Sequence, residues 1–328
     1  MSDQEVGRRE LLGATGALAG GLRFGLGGGL GMGLPMIMGT SVADAITHLD
    51  FGDPDVRFRS QLKTRGTLAE ETVHRVSTGH VWLYNPEDHS FTPFCSLENY
   101  NVSEWSHGED GLYRSRMFET AIYMKFGSDE VMEEWTNPFT DETVKVHHYI
   151  IGPMSSTHDP HQVDADAGAE NAERVIVPNH LNWQLVGDTV YMPTDSSVAY
   201  PNPLQPDVWP QASAGETFGW DSFIMFGVKL ADLQNSDVTQ AMAHSWYQEN
   251  IRWQPWMLMG QRPGRLIARG YGKKVRWEEI PIERIKRLEK YVPKVLDRDN
   301  WGDFQNEFLW YLRTQKPKLP LAEQLPEL

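Results

Sequence analysis

Alternation of apolar and polar residues with a period of two, interrupted by short polar turns, runs through most of this chain of 328 residues. Such alternation places successive side chains on opposite faces of a β-strand, whereas an amphipathic helix needs a period near 3.6. Turns such as Gly127–Glu130 and Gly187–Asp188 are short enough to join only antiparallel neighbours. The sequence therefore predicts a mainly β, antiparallel protein.

About ten strands follow from this pattern, and helices are predicted near the two ends of the chain. A short helix or wrapping arm is expected within 51–75, and two helices at 280–290 and 301–314. This order favours one antiparallel β-barrel or strongly curved sheet of calycin or lipocalin type, with C-terminal helices. The strands are expected at 79–85, 89–95, 111–126, 131–135, 143–151, 180–186, 189–192, 217–229 and in a hairpin within 244–275.

The first 45 residues differ in composition from the rest of the chain. Paired arginines and two leucines within 8–12 precede a weakly apolar, glycine-rich run to Met38 and a small-residue site at Ala43–Ala45. This arrangement resembles a twin-arginine export signal, so residues 1–45 are predicted to be removed. Arg23 and the many glycines argue against a stable membrane anchor, because a spanning helix needs an apolar run.

We therefore predict an exported, periplasmic protein that meets the twin-arginine export machinery during secretion. Its mature part, 46–328, is expected to be a single β-barrel-like domain with a helical segment at about 280–314. The alternative for the N-terminus is a disordered, glycine-rich tail on a cytoplasmic protein.

Composition excludes several classes of function. The formal net charge is −15 and no basic stripe is present, so nucleic-acid binding is not expected, because phosphate contacts need clustered lysine and arginine. The single cysteine, Cys95, cannot form an intrachain disulfide and is expected to be a small buried side chain. No P-loop and no dinucleotide-binding glycine motif occurs, so no cofactor is predicted.

The densest group of tryptophan and arginine residues lies in 244–271, around a turn at Gly260–Gly264. One interpretation is a pocket wall for a small aromatic or carboxylated ligand, because arginine clamps carboxylates and tryptophan supplies apolar area. The other is a barrel corner with buried tryptophans and outward arginines. The group consists of Trp246, Trp253, Trp256, Arg252, Arg262 and Arg265.

His148 is the first candidate catalytic residue. In a continuous strand 143–151, His148 would share a face with Val146 and Ile150, and that face would point into the barrel. Imidazole can act as a general base near neutral pH. The alternative is a core histidine held by a backbone or side-chain partner.

Arg116 and Asp221 are further candidates. Arg116 alternates in phase with apolar residues of its strand, so its charge needs a partner, either a ligand carboxylate or Glu119, Glu216 or Asp221. Asp221 lies between Trp220 and Phe223, where aromatic surroundings could raise its pKa for acid catalysis. The alternative for Asp221 is an exposed strand residue.

Other chemistry has weaker support. His158 and His161 are close enough in sequence to suggest a metal site, but they lie in a loop without a recognised ligand spacing, so no metal is predicted. No nucleophile motif of a serine hydrolase occurs. Glycosidase chemistry with paired carboxylates stays open, because acidic residues are numerous and their separations are not visible in the sequence.

Five motifs in fixed order resemble one known family: Glu134–Val144, Tyr200–Leu204, His244–Trp246, Pro255–Gly260 and Arg262–Leu266. The chain is similar, from about residue 55 to 295, to the bacterial and fungal family of domain of unknown function 1838 (DUF1838). The resemblance implies one domain and leaves the mechanism open, because the family has no agreed reaction or catalytic residues.

These observations lead to a functional hypothesis. We expect a small aromatic or terpenoid-like ligand in the barrel and cofactor-independent chemistry of lyase, isomerase or hydratase type. His148 would act as the base and Asp221 as the acid, while Arg252 and Arg116 would orient an anionic or carbonyl group. Two further hypotheses are a non-catalytic, lipocalin-like carrier and a filled barrel whose acidic surface meets a partner; the oligomeric state is open. The ligand-binding walls would be Trp183, Tyr200, Trp246, Trp256 and Tyr123.

Overall fold

A strongly curled antiparallel sheet forms a half-barrel in the computed structural model, which describes residues 49–159, 173–176, 183–301, 312 and 315. This confirms the predicted mainly β, calycin-like class. The strands are β1 (Thr72–Asn85), β2 (Ser90–His107), β3 (Tyr113–Lys125), β4 (Glu134–Thr136), β5 (Thr143–Lys145), β6 (Tyr149–His158), β7 (Glu173–Ile176), β8 (Gln184–Val186), β9 (Thr189–Pro201), β10 (Thr217–Lys229), β11 (His244–Ile251) and β12 (Arg265–Val275).

Neighbouring strands pair in the order β6-β3-β2-β1-β12-β11-β10-β9-β7, while β8 pairs with β9 and β4 with β5 in a separate hairpin. The β1–β12 pair joins the two ends of the chain, so the sheet is a single surface. Ile151 of β6 packs with Phe218 of β10 and with Leu312, although β6 and β10 are far apart in this order. The sheet therefore curls until strands from its two halves meet across the concave face.

Each face of the sheet is covered differently. The concave face holds an apolar cluster that includes Val81, Leu97 and Ala268, together with Trp253 and Trp256 from the turn after β11. Burial of such side chains is the main stabilising contribution to a fold of this type. The outer face of β1–β3 is covered by α3 (Ile282–Tyr291) and the residues after it.

The helix α1 (Pro54–Arg65) precedes β1, as one of the two sequence-based alternatives for 51–75 predicted. Asp53 caps its first turn by accepting a hydrogen bond from the amide of Asp55 at 2.8 Å. Gly66 ends the helix, where a Cβ atom would lie 2.1 Å from the ring of Trp105. A short helix, α2 (Leu230–Gln234), follows β10.

Several predicted elements need correction. β1 begins at Thr72 and not at residue 79, and β9 continues to Pro201 and does not end at residue 192. The expected strand 143–151 is broken, because β5 pairs with β4 whereas β6 pairs with β3, and residues 146–148 cross between the two sheets. The second strand of the first hairpin, predicted at 89–95, continues to His107.

The C-terminal helix predicted at 280–290 corresponds to α3. The helix predicted at 301–314 lies almost wholly outside the described residues. Within the described part of the chain, no helix combines the length and the hydrophobicity that crossing a membrane requires.

Candidate functional site

A row of polar residues crosses the concave face, where an apolar core would be expected. Arg75 of β1 lies opposite Asn101 of β2, and Asn101 lies opposite Glu119 of β3. On its other side Arg75 lies opposite Lys274 of β12. Directly opposed residues of antiparallel strands project from the same face. The row therefore places charged side chains of both signs inside the curl of the sheet.

The end of α1 holds the two cations of this row. Lys274 donates through Nζ to the carbonyl of Lys63 at 2.7 Å and also to the carbonyl of Gly66. Arg75 donates to the carbonyl of Thr64 at 3.1 Å, and its guanidinium carbon lies 5.5 Å from the ring centre of Phe226. Lys274 thus satisfies carbonyl groups at the end of α1, while Arg75 also extends across the interior towards Phe226 of β10.

Tyr247 of β11 lies over a part of the concave face where two glycines, which have no side chain, leave room for its ring. It is opposite Gly270, which in turn is opposite Gly79 of β1. A Cβ atom at either glycine would come within 2.6 Å of the Tyr247 hydroxyl oxygen. The phenol therefore lies over both glycines, and this close approach explains why strand interiors carry glycine at these positions.

Glu249 is two residues after Tyr247 and projects from the same face. Ser222 of β10 lies opposite Glu249 and donates from its hydroxyl to Oε1 at 3.3 Å. Burial, together with the nearby charge of Glu119, raises the pKa of Glu249 to about 7. Glu249 is therefore present in both protonated and ionised forms at neutral pH.

We call Arg75, Glu119, Tyr247 and Glu249 the interior cluster. Burial raises the pKa of Glu119, and the positive charge of Arg75 opposes that rise. Burial also lowers the pKa of Arg75 to about 9, so its guanidinium stays charged at neutral pH. Burial, together with the charge of Glu249, raises the pKa of Tyr247, which keeps its hydroxyl protonated.

All four side chains lie inside the curl but keep partial solvent exposure. Three members of the interior cluster offer different chemical groups. Glu249 can give or take a proton, Tyr247 is a neutral hydrogen-bond donor, and Arg75 is a cation held in place. Such a set can move a proton to and from a bound compound and stabilise an oxygen on it.

A second set of polar residues lines an open groove of about 760 Å³ on the outer side, at the ends of β9–β12. We call it the outer groove. Asp221 and Arg252, two of the predicted catalytic residues, both line it. Ser197 donates to Asp221 at 2.7 Å, and Arg252 donates to the carbonyl of Ala214 at 3.2 Å. Both side chains thus have structural partners at the rim of the sheet.

His148 contacts neither the interior cluster nor the outer groove through any of its described partners. Its Nδ1 accepts a hydrogen bond from the amide of Tyr123 at 3.3 Å, and its ring lies 5.0 Å from that of Tyr291 in α3. Burial lowers its pKa to about 4, although the charge of Glu133 opposes this. His148 is therefore neutral at pH 7, at the break between β5 and β6. The predicted common face is wrong, because Val146 and Ile150 pack into different clusters.

Arg116 alternates in phase with Phe118, as predicted, but their shared face is the outer one. Its guanidinium lies 5.7 Å from the ring centre of Trp301 and 3.9 Å from a carboxylate oxygen of Glu104. The suggested partner Glu119 lies on the opposite face of the same strand. The structure therefore separates Arg116 from the other three predicted catalytic residues.

The predicted aromatic walls do not form one pocket. Trp256 and Tyr123 are buried in the apolar cluster, with ring centres 6.0 Å apart. Trp183 packs against Phe51 at the N-terminal edge. Tyr200 stacks on Trp220 at 5.7 Å, and Trp246 is 49% exposed on the outer face. The corner interpretation of 244–271 fits Trp253 and Trp256, which are buried.

The suggested metal pair is only half described. His158 stacks on Trp105 at 4.8 Å and forms a hydrogen bond with Ser115, whereas His161 lies outside the described residues. Among the residues whose positions are described, no group of three or more potential metal-binding side chains is found. Cys95 is fully buried, as predicted, and burial raises the pKa of its thiol.

The sequence pattern did not point to Arg75, Tyr247 or Glu249, and it suggested Glu119 only as an ion-pair partner. A signal was nevertheless present. Gly270 lies inside the predicted hairpin and Gly79 begins a predicted strand, and glycine in a strand marks a close approach of another group. Those positions pointed to the neighbourhood of the cluster, without revealing which side chain would lie over them.

Comparison with known proteins gives one match. The family model described as "Protein of unknown function (DUF1838)" matches residues 70–311, which include all strands from β1 to β12 and the interior cluster. Neither the curated proteins nor the solved structures contain a match to this chain. The chain belongs to the DUF1838 family.

Proposed function

We propose that the half-barrel binds a small organic molecule in its concave interior and performs cofactor-independent acid/base chemistry on it with the interior cluster. The supporting observation is that Arg75, Glu119, Tyr247 and Glu249 all project from the concave face, which would otherwise hold an apolar core, and that the charge of Glu119 contributes to the raised pKa of both Tyr247 and Glu249. Burying two carboxylates beside each other opposes folding, and functional sites are where such costs are retained.

Each member of the cluster has a distinct role in this proposal. Glu249 gives or takes the proton, because its pKa of about 7 suits both directions at neutral pH. Tyr247 donates a hydrogen bond to an oxygen of the substrate. Arg75, with Glu119 beside it, orients a carbonyl or anionic group. The chemistry is a proton transfer of lyase, isomerase or hydratase type.

The surroundings of the cluster favour a partly apolar substrate. Ile224 lies opposite Tyr247, and the ring of Phe226 lies under the guanidinium of Arg75. An aromatic or terpenoid-like compound with one polar group would match this combination, since ligand pockets are largely apolar with a few placed polar groups.

We further propose that the protein works in the periplasm after twin-arginine export. The support is the sequence of residues 1–45, which lie outside the described structure. Replacing both Arg8 and Arg9 with lysine should keep the protein in the cytoplasmic fraction, whereas an unchanged distribution would exclude this route.

Native mass spectrometry of the full chain, compared with the same sample after denaturation, would identify a bound compound. The purified compound would then be incubated with wild-type protein and with Glu249→Gln. We expect conversion by the wild type, and binding within about tenfold but conversion at least about a hundredfold slower for the variant. Asp221→Asn, in the outer groove, is the matched control and should retain conversion.

Two outcomes would contradict the enzymatic proposal. Full activity of Glu249→Gln would remove the interior cluster from the chemistry. Recovery of an unchanged compound from wild-type protein would instead favour the non-catalytic carrier, whose affinity would depend on the same concave face.

A further inference from the structure

Four large apolar side chains are exposed together on the outer face of β9–β12, which we call the bare face. Met225, Trp246 and Tyr271 lie in one cross-strand row, and Phe223 lies in the next row. Their exposed fractions are 36%, 49%, 66% and 46%, respectively. Single exposed apolar residues are common on proteins, but a contiguous group of this size marks a contact surface.

The neighbouring part of the same outer face, on β1–β3, is covered by other residues of the chain. On β1–β3, Tyr100 and Phe118 are almost fully buried beneath α3 and the residues that follow it. Among the described residues, no helix lies over the bare face in the same way. Four strands and four cross-strand rows span about 19 Å by 27 Å, or about 500 Å² per copy.

Charges of opposite sign flank the bare face. Asp195 of β9 and Arg269 of β12 lie in the same cross-strand row, with Phe223 and Gln248 between them. Their row is thus negative at one end, apolar and neutral in the middle, and positive at the other end. A surface of this kind complements its own image after a half-turn about an axis between β10 and β11.

We propose that the bare face binds a second copy of this chain, with a two-fold axis parallel to the strands and between β10 and β11. Asp195 of each copy then faces Arg269 of the other, because the axis exchanges β9 with β12. Met225 faces Trp246 in the same way, and Tyr271 faces Pro193. No two like charges oppose each other in the four central rows.

The size of the contact fits a reversible dimer. Two copies would bury roughly 1,000 Å² together, which is near the lower limit for a specific interface. Sheets that pack face to face commonly align within about 30°, so that the rows stay in contact near the axis. In a two-fold dimer each copy buries its bare face against the other copy. No further copy can then bind through this face, so the association stops at the dimer.

Sedimentation velocity of the full chain over a wide dilution series tests this proposal. We expect a reversible monomer–dimer equilibrium for wild-type protein, and at least a tenfold weaker dimer for Trp246→Ser, Asp195→Arg and Arg269→Asp. The double variant Asp195→Arg/Arg269→Asp should recover dimer formation, because the exchanged charges again face each other. Phe91→Ser, at a 53% exposed aromatic outside the bare face, is the matched control and should behave as wild type.

Three results would overturn the proposal. They are a wild-type protein that stays monomeric at every concentration, a dimer that survives all three single variants, and a double variant that remains monomeric. Circular dichroism of each variant would show whether the fold is retained. A monomer that captured an apolar ligand at Trp246 would assign the bare face to a different class of partner.

Discussion

The interior cluster and the outer groove contain similar chemical groups in opposite surroundings. Each combines carboxylates with arginine, but Glu249 and Glu119 lie inside the curl, whereas Asp221 and Arg252 lie at the outer rim. Water screens charges at the rim and leaves their mutual interactions weak, while burial strengthens every interaction inside. The difference teaches that depth within the sheet, and not residue type, sets how strongly these carboxylates and arginines interact.

The largest effect is expected from Arg75→Met. Loss of the guanidinium would leave the carboxylate of Glu119 inside the curl without the positive charge that opposes the rise of its pKa, so we expect the free energy of unfolding to fall by about 3 kcal/mol or more. Urea denaturation followed by tryptophan fluorescence measures this change. Arg252→Met, in the outer groove, is the control and should alter stability by less than about 1 kcal/mol.

A double variant shows whether Arg75 stabilises the fold through its charge or through its packing. Arg75→Met/Glu119→Gln should recover part of the stability, because the remaining carboxylate no longer has a like charge beside it. Equal stability of the single and double variants would show that Arg75 acts through packing on Phe226, and the electrostatic comparison would fail.

An intermediate effect that depends on pH is expected from Glu249→Gln. The folded state holds the pKa of Glu249 at about 7, above its ordinary value of 4.5, chiefly because of burial. Below pH 4.5 the carboxyl is neutral in both states, so Glu249 costs no stability there. Between pH 4.5 and 7 the unfolded chain loses the proton first, so wild-type stability falls as the pH rises.

Glutamine cannot ionise, so the variant should gain up to about 3 kcal/mol relative to wild type between pH 4 and pH 8. Urea unfolding at several pH values provides the measurement. A constant difference between variant and wild type across this range would mean that Glu249 titrates normally and that the interior is as well solvated as the rim.

The smallest effect is expected from Asp221→Asn. Its carboxylate accepts a hydrogen bond from Ser197 at the rim, and an amide oxygen can accept the same bond. We expect a change of less than about 0.5 kcal/mol in the free energy of unfolding at neutral pH. A larger change that depends on pH would make Asp221 a candidate acid again. It would then favour the outer groove over the interior cluster as the site of proton transfer.

Two misread parts of the sheet share one physical cause. In β2, the residues Asn99, Asn101 and Ser103 face the interior, so the expected apolar alternation is missing after Leu97 and the strand was predicted too short. In β11, Trp246 looked like the buried residue, but Tyr247 and Glu249 are the ones that face inwards. A polar interior and an exposed aromatic outer face invert the usual pattern.

The sequence alone determined the class of fold, because a period of two and tight polar turns depend only on neighbouring residues. It also located α3 and most strands, and it offered a helix as one of two alternatives for the segment that contains α1. The pairing of β1 with β12 and the curl that brings Arg75, Glu119, Tyr247 and Glu249 together were decided only by the tertiary structure. These residues come from four separate strands, and which face of each strand is concave depends on how the whole sheet closes.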